Sequence, residues 1–295
     1  MPEQISLETA SELFSTTFQS VYQSVRALSG TIMERHGTTG TALNVPVIGK
    51  TELQETGFAP TNIPISTVEK TNVVCVQKEY TNKLTIGRGE KTLFNYDEIK
   101  AYADAQAKAV ARWEDYLKIQ AIYNDPNFSN IQVVPVNKGV NTGVNQGKLT
   151  EGLKFLERAG VDTRRQQCSL WLPATLKDGF FADDRVVNLF YNDERPLVDN
   201  DFPSYLGVSM RTLGDASAGI NSLPYTTAGS TNTYQVPLVH HDSMIISFNI
   251  DPEADIVWVP QEKRWELVVL AVAGAKVVQT AGIALLTAND PYAAN

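Results

Sequence analysis

With 295 residues and 43% hydrophobic content, the chain can bury a sizeable core, which excludes disorder over most of its length. Its formal net charge of -8 excludes a surface built to neutralise phosphates, since such surfaces cluster Lys and Arg, but not a protein that encloses nucleic acid without gripping it. Two cysteines without a CxxC pair, Cys75 and Cys168, exclude a disulfide framework or a thiolate zinc site and leave buried free thiols as the reading.

No basic-then-apolar pattern opens the chain at Met1 to Ser6, so no secretory signal is expected, and no apolar run reaches the ~18 residues of a membrane helix. A cytoplasmic setting follows. From 7 to 32, apolar residues at Leu7, Ala10, Phe14, Phe18, Val21, Val25, Leu28 and Ile32 step by three and four, which predicts a helix with Ser6 as its N-cap. Gly37 and Gly40 end the pattern. Thr41 to Thr85 then reads as β structure: two runs, Ala42 to Ile48 and Thr71 to Gln77, flank a polar stretch from Gly49 to Glu69. Such a hairpin has little of its own to pack on and needs a partner surface.

Asn95 with Glu98 has capping-box spacing, and neither Gly nor Pro interrupts Asp97 to Tyr123. That predicts a helix of roughly 40 Å, ended by Asp125-Pro126. Residues 137 to 148 are Gly- and Asn-rich and read as a flexible loop. A short helix at Thr150 to Ala159, a buried strand at Ser169 to Leu172 and a helix at Ala174 to Ala182 follow. Asn192 to Pro203 and Gly214 to Thr233 read as long loops, and loops of that length usually bind something. Pro237 to Asn249 reads as a short helix and Ala254 to Thr287 as strands.

Catalytic chemistry finds little support. Gly87-Arg88-Gly89-Glu90-Lys91-Thr92 lacks the phosphate-loop spacing and puts Glu90 where the phosphate would sit. His240-His241-Asp242 has adjacent histidines, not the i, i+4 pair that shares a metal on a helix, and reads as a capped helix start. No G-x-S-x-G elbow is present. No enzyme, cofactor or metal site is expected.

The order is terminal helix, extended hairpin, long Ala-rich helix, loop-rich middle and strand-rich return. Three stretches carry detail: 84 to 124 (LTIGRGEKTLFNYDEIKAYADAQAKAVARWEDYLKIQAIYN, with Asp97-Glu98 and Asp115), 149 to 183, and YLGVSMRTLGD followed by LVHHDSMIISF. The pattern resembles the tailed-bacteriophage major capsid proteins of the Hong Kong ninety-seven type, an α+β fold also seen in encapsulin nanocompartments. The resemblance implies an N-terminal arm (1–40), an extended loop (41–76), a peripheral domain with a spine helix (77–165 and 249–295) and an axial domain (166–248). It further implies a subunit that forms hexamers and pentamers of an icosahedral head around double-stranded DNA, with the encapsulin-type shell around cargo enzymes as the alternative. Its partners would be a portal, a decoration protein and, since 40 residues leave no room for a scaffolding segment, a separate scaffolding protein. Lys50, Glu52, Glu69, Lys70 and Arg88 are candidates for pairing between subunits.

Overall fold

The computed structural model describes residues 27–51, 68–87, 97–139, 141–163, 167–181, 204–214, 222–228 and 231–290. Thirteen strands and three α-helices lie within them. In chain order they are β1 (Met33–Arg35), β2 (Ala42–Ile48), β3 (Lys70–Val76), β4 (Lys78–Gly87), α1 (Asp97–Tyr123), β5 (Gln132–Val134), α2 (Gln146–Arg158) and β6 (Cys168–Pro173). Then come α3 (Lys177–Phe181), β7 (Ser204–Tyr205), β8 (Val208–Leu213), β9 (Tyr225–Ala228), β10 (Thr231–His240), β11 (Met244–Val259), β12 (Arg264–Val277) and β13 (Ile283–Asp290).

Three sheets result. A four-stranded sheet runs β1-β11-β12-β4, and α1 packs on β12. A seven-stranded sheet runs β5-β13-β10-β6-β8-β7, with β9 added beside β10. The pair β2-β3 stands apart as its own two-stranded sheet. The seven-stranded sheet draws β6 to β10 from the segment 166–248, but β5 and β13 come from either side of that segment.

The central strand β6 is buried at every position, so it reads as a continuous apolar run and not as an alternating one. Trp171 is fully buried there and its indole N–H donates to Ser169 Oγ at 3.1 Å. Trp171→Ala should therefore cost about 3–5 kcal/mol, a cavity-forming loss. A thermal melt of the purified subunit checks it, with a fall of roughly 10 °C expected.

Several sequence expectations change. The helix expected over 7–32 is absent from its described end. Residues 27–32 form bends and a turn, with Gly30 at φ +68, and β1 follows; residues 1–26 lie outside the described part. The helix expected at Pro237 to Asn249 is instead the end of β10, a 3-10 turn at His241–Ser243 and the start of β11. Both strands are buried on both faces there, so the alternation that would mark them as strands is missing. Part of the loop expected at Gly214 to Thr233 is the β9-β10 hairpin. The loop Asn192 to Pro203 lies outside the described residues.

The loop 137–148 is tied down. Asn145 caps α2 by accepting from the Lys148 N–H at 2.9 Å, and its amide donates to the carbonyls of Lys138 and Asn141. Lys148 is fully buried, its ammonium donating to the carbonyls of Thr142 (2.6 Å) and Gly143 (2.7 Å). Burial pushes its pKa down to about 8. Helix α2 consequently starts at Gln146, four residues before its expected start.

Candidate assembly interface

The hairpin β2-β3 is the element without a core. Its register pairs Ala42 with Val76, Asn44 with Val74, Pro46 with Asn72 and Ile48 with Lys70. Side chains alternate across a strand, so these residues share one face. That face is open to solvent: Ile48 is 66% exposed, Val76 60% and Val74 47%. The opposite face carries Leu43, Val45, Val73 and Cys75, half-buried or buried against the body. Val74 and Val76 are neighbours on that face beside Ala42, Ile48 lies beyond Pro46 and Asn72, and Asn44, Asn72 and Lys70 make the face a mixed one.

What holds the hairpin is its root. Gln77, just after β3, donates its backbone N–H to the Thr41 carbonyl at 3.0 Å and its side-chain amide to Ser247 Oγ at 2.9 Å and to Thr38 Oγ1. Thr38 in turn donates through its N–H and its hydroxyl to the Phe248 carbonyl. Ser247 Oγ also meets Cys75 Sγ at 3.8 Å. Burial pushes the Cys75 thiol up, so it is an inert packing group rather than a nucleophile. These contacts fall where β11 carries irregular pairing between Phe248 and Glu253, which breaks the ladder and frees its groups for the incoming chain.

Gly274 in β12 makes room for the root. A Cβ there would overlap the Val76 carbonyl oxygen and lie 3.0 Å from its carbon. Beside the far half of the hairpin, a cleft of about 420 Å³ is lined by Val47, Ile48, Lys50, Val73, Lys276 and Val278, among others. Lys276 is bound in it to the buried Asp125 at 2.7 Å, tying the end of α1 to β12.

A second anchor fixes the segment ahead of the hairpin. Asp115 on α1 accepts the N–H groups of Ala27 (3.2 Å) and Leu28 (3.1 Å). Lys118, fully buried one turn later, donates to the Leu28 carbonyl (2.8 Å) and pairs with Glu34 (2.9 Å). Sequence reasoning missed Lys118 and Glu114 because charges on a long helix are ordinarily solvated. The available signal was a second apolar row, Ala107, Ala111 and Ile122, on the same face as both charges.

Of the five candidate pairing residues, three are described and they come together. Lys50, Glu69 and Lys70 sit at the far end of the hairpin, where the Gly49 N–H donates to the Glu69 carbonyl at 2.8 Å. All three are exposed, and Lys50 Nζ lies beside Gly160, just past the C-terminus of α2, where the helix dipole favours a cation. Glu52 and Arg88 lie outside the described residues.

The other sequence candidates stay apart. His240 Nδ1 accepts from the Asp242 N–H, and His241 Nδ1 meets Asp242 Oδ1 at 2.9 Å, within one 3-10 turn. Among the described residues no three of His, Cys, Asp and Glu are placed to hold a metal ion. Cys75 and Cys168 are buried and free.

The model of the family described as phage capsid protein matches residues 7–288. The chain belongs to the phage capsid protein family. No curated protein matches the sequence. Among solved structures, this capsid protein is similar to the cyanophage Pam1 capsid subunit, with a TM-score of 0.66 at 12% identity over 92% of each chain. It is also similar to the capsid of cyanophage P-SCSP1u, with a TM-score of 0.65 at 12% identity over 88% of this chain and 86% of that one. A virus-like particle from Pyrococcus furiosus matches with a TM-score of 0.58 at 12% identity, over 94% of this chain and 98% of that one. The fold is the α+β phage capsid fold of the Hong Kong ninety-seven type, and this capsid protein is a structural shell subunit and a virion component.

Proposed function

We propose that the chain is the major capsid protein of a tailed phage, assembling into hexamers and pentamers that close an icosahedral head around double-stranded DNA. The observation that carries this reading is the hairpin β2-β3, bolted at its root and exposing Ile48, Val74 and Val76 on its free face. A neighbouring copy supplies the missing surface, and closed symmetry repeats that contact around the shell. Lys50, Glu52, Glu69, Lys70 and Arg88 pair with charges of that neighbour, adding register more than affinity. The net charge of -8 gives the packaged DNA a wall that does not grip it.

In this reading residues 1–40 are the arm and 41–76 the extended loop. Residues 166–248 are the axial domain and supply β6 to β10 of the seven-stranded sheet, and residues 77–165 with 249–295 are the peripheral domain, which holds α1 and lends β5 and β13 to that sheet. A separate scaffolding protein, a portal and a decoration protein are its partners, with assembly in the host cytoplasm. The chain works without an enzymatic step or a membrane. A cargo-holding shell of the encapsulin type is the second reading, favoured by the likeness to the Pyrococcus furiosus virus-like particle.

Negative-stain electron microscopy with light scattering, on protein made with and without its neighbouring genes, tests the proposal. Closed particles or separate hexamers and pentamers are expected, and nucleic acid in particles made with the packaging genes separates phage head from cargo shell. Deleting residues 49–69 should leave folded subunits that build no shells. A monodisperse dimer under both conditions, or normal particles from the deletion, overturns the reading.

A further inference from the structure

The four-stranded sheet has two unlike faces. One lies under α1: Leu267, Val269, Ala271 and Ala273 are buried there, and Val269 packs against Ala107 and Val110 of the helix. On the other face Val268, Leu270 and Val272 form an apolar stripe down the central strand β12, each of them half-buried. The register sets Asp255 and Glu253 of β11 beside Val268 and Leu270, and Glu79 of β4 beside Val272. Residues paired across a ladder share a face, so the stripe is bordered by acids on both sides.

Those acids are uncompensated. Glu266, at the end of the stripe, is engaged by Lys83 at 2.6 Å and by Arg264 at 3.0 Å. Glu253, Asp255 and Glu79 are exposed and, among the described residues, in no ion pair; Asp255 accepts the N–H of Ile256 at 2.8 Å. The hairpin β2-β3 carries the opposite pattern. Val76 and Val74 lead along its free face to Lys70, with Lys50 two residues past Ile48 on the facing strand. At that end two cations stand against one acid, Glu69.

The spans agree as well. Six residues separate Val76 from Lys70, about 20 Å, and the same six along β12 run from Val272 to Glu266, past Glu253 and Asp255 alongside. Within one chain both surfaces stay open at once, so they can meet only between copies. A contact between two different surfaces is heterologous, and such contacts propagate into rings where a self-complementary patch would stop at a dimer.

We propose that this face of the four-stranded sheet is the seat for the β2-β3 hairpin of a second copy, with the hairpin valines on Val268, Leu270 and Val272 and with Lys50 and Lys70 against Glu253 and Asp255. The inference rests on the shell reading and adds the receiving surface to it. Its apolar part holds the hairpin down, and its charges fix how far along the stripe the hairpin lies.

Charge reversal tests the contact in the full-length chain. One variant carries Lys50→Glu and Lys70→Glu, a second carries Glu253→Lys and Asp255→Lys, and a third carries all four. The four side chains are exposed, so each variant should melt within about 2 °C of the wild type. The first two place like charges across the contact and should each lose about tenfold in yield of closed particles, by sedimentation and microscopy. The third restores opposite charges and should recover most of that yield. Zero-length carbodiimide coupling of wild-type particles, which joins a carboxylate to an amine in contact with it, should link Lys50 or Lys70 to Glu253 or Asp255. Wild-type particles without such a link overturn the contact even where a variant fails to fold. Wild-type yield from the first two variants, or no recovery in a folded third, overturns it too and leaves the shell reading standing. A wild type that builds no particles overturns both.

Discussion

Gly274→Ala should give a subunit that folds but builds few or no closed shells. The added methyl would overlap the Val76 carbonyl oxygen and sit 3.3 Å from Gln77 Cα, and both are backbone. A flexible side chain could swing away; a strand end must translate. The retreat cannot be absorbed locally, because Gln77 is fastened on two further sides, to Thr41 and to Ser247. The hairpin therefore tilts as a unit about its root. Its far end lies seven residues on, roughly 23 Å away, so a shift of about 1 Å at the root becomes several at Lys50 and Glu69.

Overpacking of this kind costs about 1–3 kcal/mol, a loss the subunit can survive. Gly207→Ala, in the β7-β8 turn, is the matched control: Gly207 has φ +75 and nothing within 4 Å, so alanine strains the turn without pushing on a neighbour. It should lose about 1 kcal/mol and still assemble. Melting temperature and particle yield by sedimentation and microscopy separate the two effects. Wild-type particle yield from Gly274→Ala would mean that the hairpin angle does not govern assembly.

The sequence conceals the part that Gly274 plays. Gly274 interrupts an apolar run, Leu267 to Ala275, and reads as a break, yet β12 continues through it to Val277. Other features were legible because one local rule decides them. Helix α1 occupies Asp97–Tyr123, the stretch that lacks both Gly and Pro, and β2 and β3 fall on the β-branched runs either side of the polar stretch. Strand β6 ends at Pro173 as its composition indicates. The failures share a cause as well. At 237–249 and at 137–148 the deciding partners are distant or buried: β13 and β6 beside β10, and a lysine ammonium turned inward on carbonyls. Nothing within a local window distinguishes Lys148 from a solvated lysine.

Asp115→Ala should be the most damaging single change among the polar residues of α1. Its carboxylate is almost fully buried and accepts two backbone N–H groups, that of Leu28 in a buried bond and that of Ala27 in a part-buried one. A buried donor left without its acceptor costs about 1–3 kcal/mol, which Leu28 loses in full and Ala27 in part. Asp115→Asn keeps one acceptor oxygen but turns donors toward a donor-rich site, and should recover less than half of the loss. Chemical denaturation of the subunit reads the total; limited proteolysis reads the place, with cleavage near residues 27–34 expected ahead of global unfolding. The outcome also bears on the hairpin. Between Leu28, which Asp115 holds, and Gln77 the described chain has no helix: it runs through β1, along β11 past Phe248, and out into β2. Losing the Asp115 contacts leaves the Lys118 bonds to Leu28 and Glu34, β1, with three residues paired to β11, and the Thr38 and Gln77 contacts to hold the arm. Asp115→Ala should therefore lower shell yield beyond what its lost stability accounts for, whereas Trp171→Ala, placed in the other sheet, should lower yield only in step with stability. Equal yields from the two variants at matched stability would mean that the arm contributes packing alone and does not set the hairpin.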